Sequence, residues 1–223
     1  TQFPYYLGDS NSVPPNPGAA VELVRRVGEE LGFEIEFRRY PWSRCLAMLK
    51  NGDVDAIFNA SYSAERAQYA AYPMTESGGL DDSKRLTTIS YSWYSFDEEA
   101  PAVPAMVAAP QGYSIVTPLR EQGYWVYEAA QSSSALKMVL ANYVTHAALQ
   151  TVTGDHLLAT SDGFEQLTRV VPPLVTKPYF LLLSKKFQQQ NPALAETIWQ
   201  TLAQLREQEL EPIVKRYLRE AQN

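Results

Sequence analysis

The chain has 223 residues, 45% hydrophobic and 20% charged, with 25 acidic and 19 basic side chains and a formal charge of −6. That is the composition of a globular protein long enough for one large core or two small ones. No basic run speaks for nucleic acid or an anionic membrane surface; the lone Cys45 excludes an internal disulfide; and no apolar stretch reaches the roughly 18–20 residues that span a bilayer.

In chain order, residues 1–8 read as a short strand, and 9–17, with three prolines, as a loop. From Gly18 to Leu31 the apolar residues Ala20, Leu23, Val24, Val27 and Leu31 recur at helical spacing, and Gly32 follows as a stop. FEIEF alternates strictly, with Phe33, Ile35 and Phe37 on one face of an expected strand. Pro41 opens a helix over WSRCLAMLK, ended by NGD, and VDAIF is a short apolar strand. Ser63 can cap the helix that follows. The alternation of strands and helices over 1–73 predicts a mostly parallel sheet.

Residues 74–84 read as a polar surface loop, RLTTISYSWYSF as a long strand, and DEEAPAVP as its break. A second α/β unit follows: strand MVAA, a helix from about Tyr113, strand WVYE, a helix over about 134–140, strand VTHAALQ and helical TGDHLLAT. LTRVV and KPYFLLLS are further strands. In NPALAETIWQTLAQL, Asn191 stands at the cap and Pro192 at the first helical position, with Leu194, Ile198, Leu202 and Leu205 on one stripe; PIVKRYLRE forms a last helix. If these terminal helices pack on the first unit, the chain crosses between units twice, through the aromatic-rich strands near 88–95 and 176–183.

The stretch NASYSAERAQYAAYP (59–73) holds an anomaly. Helix N-termini favour acidic residues; Glu65 obeys and Arg66 does not. On the residues alone, Arg66 either pairs with Glu65 or another acid, or waits for an anion. A guanidinium offers two parallel donors to a carboxylate, and backbone N–H groups at a helix start can donate to the same anion.

Taken together, G-x-x-x-E-L…LG, PWSRCLAMLKNGDVDAIFNASYSAERAQYAAYP and KPYFLLLSKKF resemble the bacterial extracytoplasmic solute-binding proteins of polar amino acid ABC transporters (family 3 type). The resemblance spans nearly the whole chain and is strongest over 41–73. It implies an α/β, two-lobed, type II periplasmic-binding-protein fold: lobe I from 1–88 plus 183–223, lobe II from 95–176, and hinges at about 89–94 and 177–182. It implies capture of a small carboxylate-bearing solute, an amino acid or derivative, in an interlobe cleft by hinge closure, for uptake by a membrane permease. A monomer in the periplasm or another extracytoplasmic space is expected, without cofactor, metal or catalytic residues, and a start at Thr1 rather than Met fits a removed signal peptide.

The resemblance also assigns positions. Arg66 stands where the family holds the ligand carboxylate. Asn59 and Ser61 lie on the loop that takes the ligand's amino group. Ser63 faces the carboxylate or caps its helix, and Trp42 and Tyr5 or Tyr6 are either aromatic walls or lobe core. Gln111, Gly112, Tyr113 and Ser114 form a strand-to-helix turn with further N–H donors. One position departs: Gln150 replaces the aspartate that pairs with the ligand's ammonium, with Asp155 the nearest substitute.

Two other uses of the same fold stand beside transport. One is the ligand-sensing domain of a histidine-kinase-type receptor, with a receptor transmembrane module as partner. The other is a periplasmic dehydratase resembling cyclohexadienyl dehydratase; that chemistry wants a carboxylate acid or base, which Gln150 cannot supply. His146 and His156, ten apart with no cysteine nearby, do not make a metal site. Cys45 reads as a small core residue, and the pairs Asp81–Asp82 and Glu98–Glu99 as solvated loops.

Overall fold

The computed structural model describes residues 2–8 and 12–220. The chain divides into two compact units, Thr1–Thr88 with Pro178–Asn223, and Ile89–Lys177, so it passes between them twice. In chain order the elements are α1 (Ala19–Leu31), α2 (Trp42–Asn51), β1 (Ala56–Ser61), α3 (Ala64–Ala67), β2 (Ala70–Ala71), β3 (Thr87–Ser95), β4 (Met106–Pro110), α4 (Val116–Glu121), β5 (Trp125–Ala129), α5 (Ser132–Leu140), β6 (His146–Gln150), α6 (Thr151–Thr160), β7 (Thr168–Arg169), β8 (Val175–Ser184), α7 (Lys185–Gln190), α8 (Pro192–Leu205) and α9 (Glu211–Glu220).

In the first unit the stripe Ala20, Leu23, Val24 and Val27 of α1 packs on Ala195, Ile198, Trp199 and Leu202 of α8. Burying each large aliphatic there contributes about 1.5–3 kcal/mol. Gly18, at the cap of α1, has no side chain to offer. The first donors go instead to Pro4 O (from Ala19, 2.9 Å), Tyr5 O (from Ala20, 2.9 Å) and the Tyr217 hydroxyl (from Gly18, 2.9 Å). The expected strand over 1–8 is therefore replaced, over residues 2–6, by a turn whose amides bond to itself: Gln2 N to Tyr6 O at 2.7 Å, and Tyr5 and Tyr6 N to Gln2 O at 2.8 and 3.0 Å. Part of the expected loop, residues 9–11, lies outside the described residues.

FEIEF is not in a strand either. Ile35 and Phe37 nevertheless pack against the α1–α8 cluster, while Phe33 is exposed. The ladders of this unit are antiparallel, not parallel. β8 returns from the far end of the sequence and pairs with β1 (Ile57 with Leu182, Ala60 with Phe180) and with β2 (Ala71 with Leu183). Tyr179 to Leu183 are all buried, as a strand covered on both faces requires. The short α7 was not expected from sequence.

The second unit follows the local pattern. β4 runs parallel to β5 and to β6, with α5 packed on them; β3 adds antiparallel to β6 and β7. α4 starts at Val116 rather than Tyr113, and LTRVV shrinks to the two residues of β7.

His146, at the start of β6, is buried in this unit. Its Nε2 faces Glu99 O at 2.8 Å, its ring stands edge-on to Trp93, and its buried Nδ1 has no partner among the described residues. Burial lowers its pKa from 6.5, opposed by the Glu99 carbonyl and by Asp97. The neutral ring is thus favoured in the folded state, and its contribution is complete above pH 6.5 and shrinks as pH falls below it. Thermal unfolding of wild type should weaken more steeply below that pH than unfolding of His146→Gln. Parallel curves would exclude His146 as the titrating group.

Candidate functional site

In the first unit the site is built where β1 ends. Its pairing with β8 shifts register between Ile57 and Ala60, and Asn59 sits there at φ 63°, a left-handed conformation that asparagine tolerates. Such bulges re-aim the residues that follow. Both ends of the Asn59 amide are engaged: Nδ2 donates to Gln2 Oε1 at 2.6 Å, and Oδ1 accepts from the Thr87 hydroxyl at 3.1 Å. Its side chain thereby braces the loop.

Ser63 caps α3 by accepting from Arg66 N at 3.4 Å. The helix then holds Arg66 inward. The residue is only 8% exposed, and its guanidinium donates from Nη1 to Ser61 O at 2.8 Å and lies with Cζ 5.8 Å from the centre of the Trp42 ring. No carboxylate among the described residues, Glu65 included, forms an ion pair with it. A buried cation without a counter-charge is costly. The hydroxyl of Ser61 is also buried and without a partner among the described residues. A carboxylate bound here would answer both deficits.

Sequence reasoning missed Tyr72. Its hydroxyl donates to the same Ser61 carbonyl at 3.0 Å, and its ring stacks edge-on with Tyr62 and Phe180. Burial pushes its pKa up to about 12, with the Arg66 charge working against the shift. Trp42, at the start of α2, is half-buried against the cluster of Leu49, Ile57 and Phe180. Tyr5 is not part of this group: it packs among core residues against α1 and α9, and burial raises its pKa. Tyr6 is half-buried in the 2–6 turn. Arg44 is exposed over Tyr40, and Cys45 packs on the α2 side of the same core.

In the second unit the turn 111–114 offers fewer free donors than expected. Gln111 N donates to Ala129 O at 2.8 Å, Gly112 N to the Glu128 carboxylate at 3.2 Å, and Tyr113 N to Pro110 O at 3.2 Å. Glu128 also takes Arg120 at 2.9 Å. Gln150 ends β6, buried, and its Nε2 donates to the Tyr91 hydroxyl at 3.4 Å; the Tyr91 ring stands edge-on to Tyr113 at 6.5 Å. Lys177 donates to Ser114 O at 3.3 Å. Asp155 is held by the Tyr94 hydroxyl (2.8 Å) and by Arg169. Tyr91 and Lys177 carried no sequence signal, because both reach this group through non-local contacts.

Two α/β units, between which one chain passes twice, make a two-lobed periplasmic-binding-protein fold. The family model of bacterial extracellular solute-binding proteins, family 3, matches residues 3–220, and the chain belongs to that family. A histidine kinase sensor domain with similarity to periplasmic binding proteins matches at TM-score 0.78 and 23% identity, over 97% of this chain and 92% of its own. The GluR0 ligand-binding core from Nostoc punctiforme, solved with L-glutamate, matches at 0.74 and 18%, over 97% and 95%. The substrate binding protein of an amino acid ABC transporter matches at 0.72 and 11%, over 98% and 95%. Among curated protein sequences none matches.

Proposed function

We propose that this chain is a non-catalytic, extracytoplasmic receptor for a small carboxylate-bearing solute, an amino acid or derivative, which it delivers to the permease of an ABC transporter. The observation that carries the reading is Arg66, buried beside a Ser61 hydroxyl without a partner, and itself without a carboxylate partner, among the described residues. Family membership and the amino acid transporter protein of the same fold support it. A second reading, a receptor's sensing domain, draws support from the histidine kinase sensor domain of similar fold. Both readings use the same ligand chemistry. A thermal-shift screen of amino acids, their amides and small carboxylates tests it. A ligand at 100 times its Kd should stabilise the protein by about 2.7 kcal/mol, and a screen in which no carboxylate shifts the transition would refute it.

Gln150→Asp probes the amino end of the solute. An aspartate there gains a charge-assisted bond to an ammonium, about twice as strong as a neutral one, offset in part by its own desolvation. Affinity for free amino acids should rise by about 1–2 kcal/mol relative to their deaminated counterparts. Titration of both ligand classes against both variants checks this; an unmoved ratio means that Gln150 does not read the amino end.

A further inference from the structure

The Tyr72 hydroxyl meets the loop that carries Arg66 at more than one point, all within the first unit. It donates to Ser61 O at 3.0 Å, the same carbonyl that accepts from Arg66 Nη1 at 2.8 Å. A carbonyl oxygen has two lone pairs, so it can hold both donors at once. Burial dominates the pKa of the phenol and raises it to about 12; the Arg66 charge, a hydrogen bond from the Arg66 side chain and one from the Ser63 backbone N–H oppose that shift. At neutral pH the phenol therefore keeps its proton. It is a donor to Ser61 O and a neutral oxygen towards which Arg66 and Ser63 N–H donate.

The ring is fixed by elements other than the helix it serves. Tyr72 is 5% exposed, edge-on to Tyr62 at 5.2 Å and to Phe180 at 6.1 Å, in the cluster of Leu49, Ile57 and Leu182. It directly follows β2, which β8 holds through Ser184 and Leu183. The helix that carries Arg66, by contrast, has four residues, Ala64–Ala67, too few to keep its shape without tertiary contacts. A guanidinium is a planar fork whose five donors turn together. One contact, to Ser61 O, leaves the fork free to rotate about that bond. A second contact, to the Tyr72 oxygen, fixes its plane.

We propose that Tyr72 is a positioning residue for solute capture: its hydroxyl sets the plane of the Arg66 guanidinium before a carboxylate arrives. Donors oriented in advance lower the ordering cost of binding. The inference deepens the reading of Arg66 as the carboxylate anchor and rests on it. Tyr72→Phe keeps the ring and its packing and removes only the oxygen.

Nitrogen-15 NMR of the arginine side chains tests it on wild type, Tyr72→Phe, Arg66→Lys and the double variant, each alone and titrated with acetate. Arg66→Lys identifies the Arg66 signals by their loss. Without acetate, the Arg66 guanidinium of wild type should rotate more slowly than that of the exposed Arg44. In Tyr72→Phe it should rotate roughly three- to tenfold faster than in wild type, the worth of one net hydrogen bond. Arg206, held on Ser83 O and Arg85 O, should not change. Acetate should bind Tyr72→Phe about three- to tenfold more weakly than wild type. That loss should fall below about twofold in the Arg66→Lys background, because an ammonium is a point charge with no plane to set. An Arg66 that rotates as freely as Arg44 in wild type, or no faster in Tyr72→Phe, overturns the proposal. Equal acetate losses in the two backgrounds overturn it too, since the hydroxyl would then brace the loop and not the guanidinium. Faster rotation in Tyr72→Phe, with a wild type that does not respond to acetate, refutes instead the carboxylate anchor and leaves the positioning of Arg66 standing.

Discussion

Arg66→Met should lose measurable affinity for the carboxylate solute and yet unfold no earlier than wild type in its absence. Two terms of opposite sign lead there. With solute bound, the guanidinium is one half of a buried charge pair, and truncating one member of such a pair typically costs about 2–5 kcal/mol, or roughly 30- to several-thousand-fold in affinity. Without solute Arg66 is buried to 8% exposure, its guanidinium donates to the neutral Ser61 O at 2.8 Å, and it has no counter-charge among the described residues. Its desolvation is then uncompensated. Methionine fills a similar volume against Trp42 and leaves the Ser61 carbonyl with the Tyr72 hydroxyl at 3.0 Å. The apo transition should therefore stay level or rise, a trade of stability for function expected of a site strained for its ligand. Calorimetry and thermal unfolding with and without solute separate the two terms. Affinity within about threefold of wild type removes Arg66 as the anchor; lost affinity with an early apo transition makes it a structural cation instead.

That site was legible in part because it is a local anomaly. A basic residue in the first turn of a helix stands out against the dipole, and Ser63 three residues earlier announces the cap. Tyr72 and Lys177 were not legible, since a tyrosine before a proline and a lysine before a proline carry no local oddity; contacts at sequence distances of 11 and 63 residues give them their places. The same division holds for the fold. The α1 stripe and the Asn191–Pro192 start of α8 were readable because helices answer to nearest neighbours. FEIEF misled because alternation reports that one face is buried, and Ile35 and Phe37 do bury theirs; it does not report a ladder partner. KPYFLLLS read as a strand, but nothing in it says that β1 and β2, more than 100 residues earlier, run antiparallel to it. In the second unit, where successive strands are joined by single helices, local pattern and pairing agree.

Gly154→Ala should destabilise the second unit sharply, although the position is helical and alanine is the better helix former. In an exposed helix that change gains about 0.5–1 kcal/mol. Here a Cβ would stand 2.5 Å from the Tyr94 hydroxyl oxygen and closer still to Cζ and Cε2 of its ring. Tyr94 cannot yield easily. It is fully buried among Ala108, Ala147, Leu149 and Phe164, and its hydroxyl donates to Thr151 O and Asp155 Oδ1, each at 2.8 Å. Burial, reinforced by the Asp155 charge, raises the pKa of that phenol, so it stays a neutral donor. Relief requires either moving α6 off the sheet or breaking those hydrogen bonds and opening the Asp155–Arg169 pair. Overpacking costs about 1–3 kcal/mol, and each lost buried bond about 1 more, so the clash outweighs the helical gain by roughly 2–4 kcal/mol. Denaturant unfolding of Gly154→Ala, Tyr94→Leu and the double variant tests the cause. Because the two residues meet, the double variant should be markedly more stable than the sum of the single losses predicts, by about 1 kcal/mol or more. Additive losses would place the damage elsewhere in α6, and a Gly154→Ala protein more stable than wild type would mean that helix propensity wins and that Tyr94 has room to move.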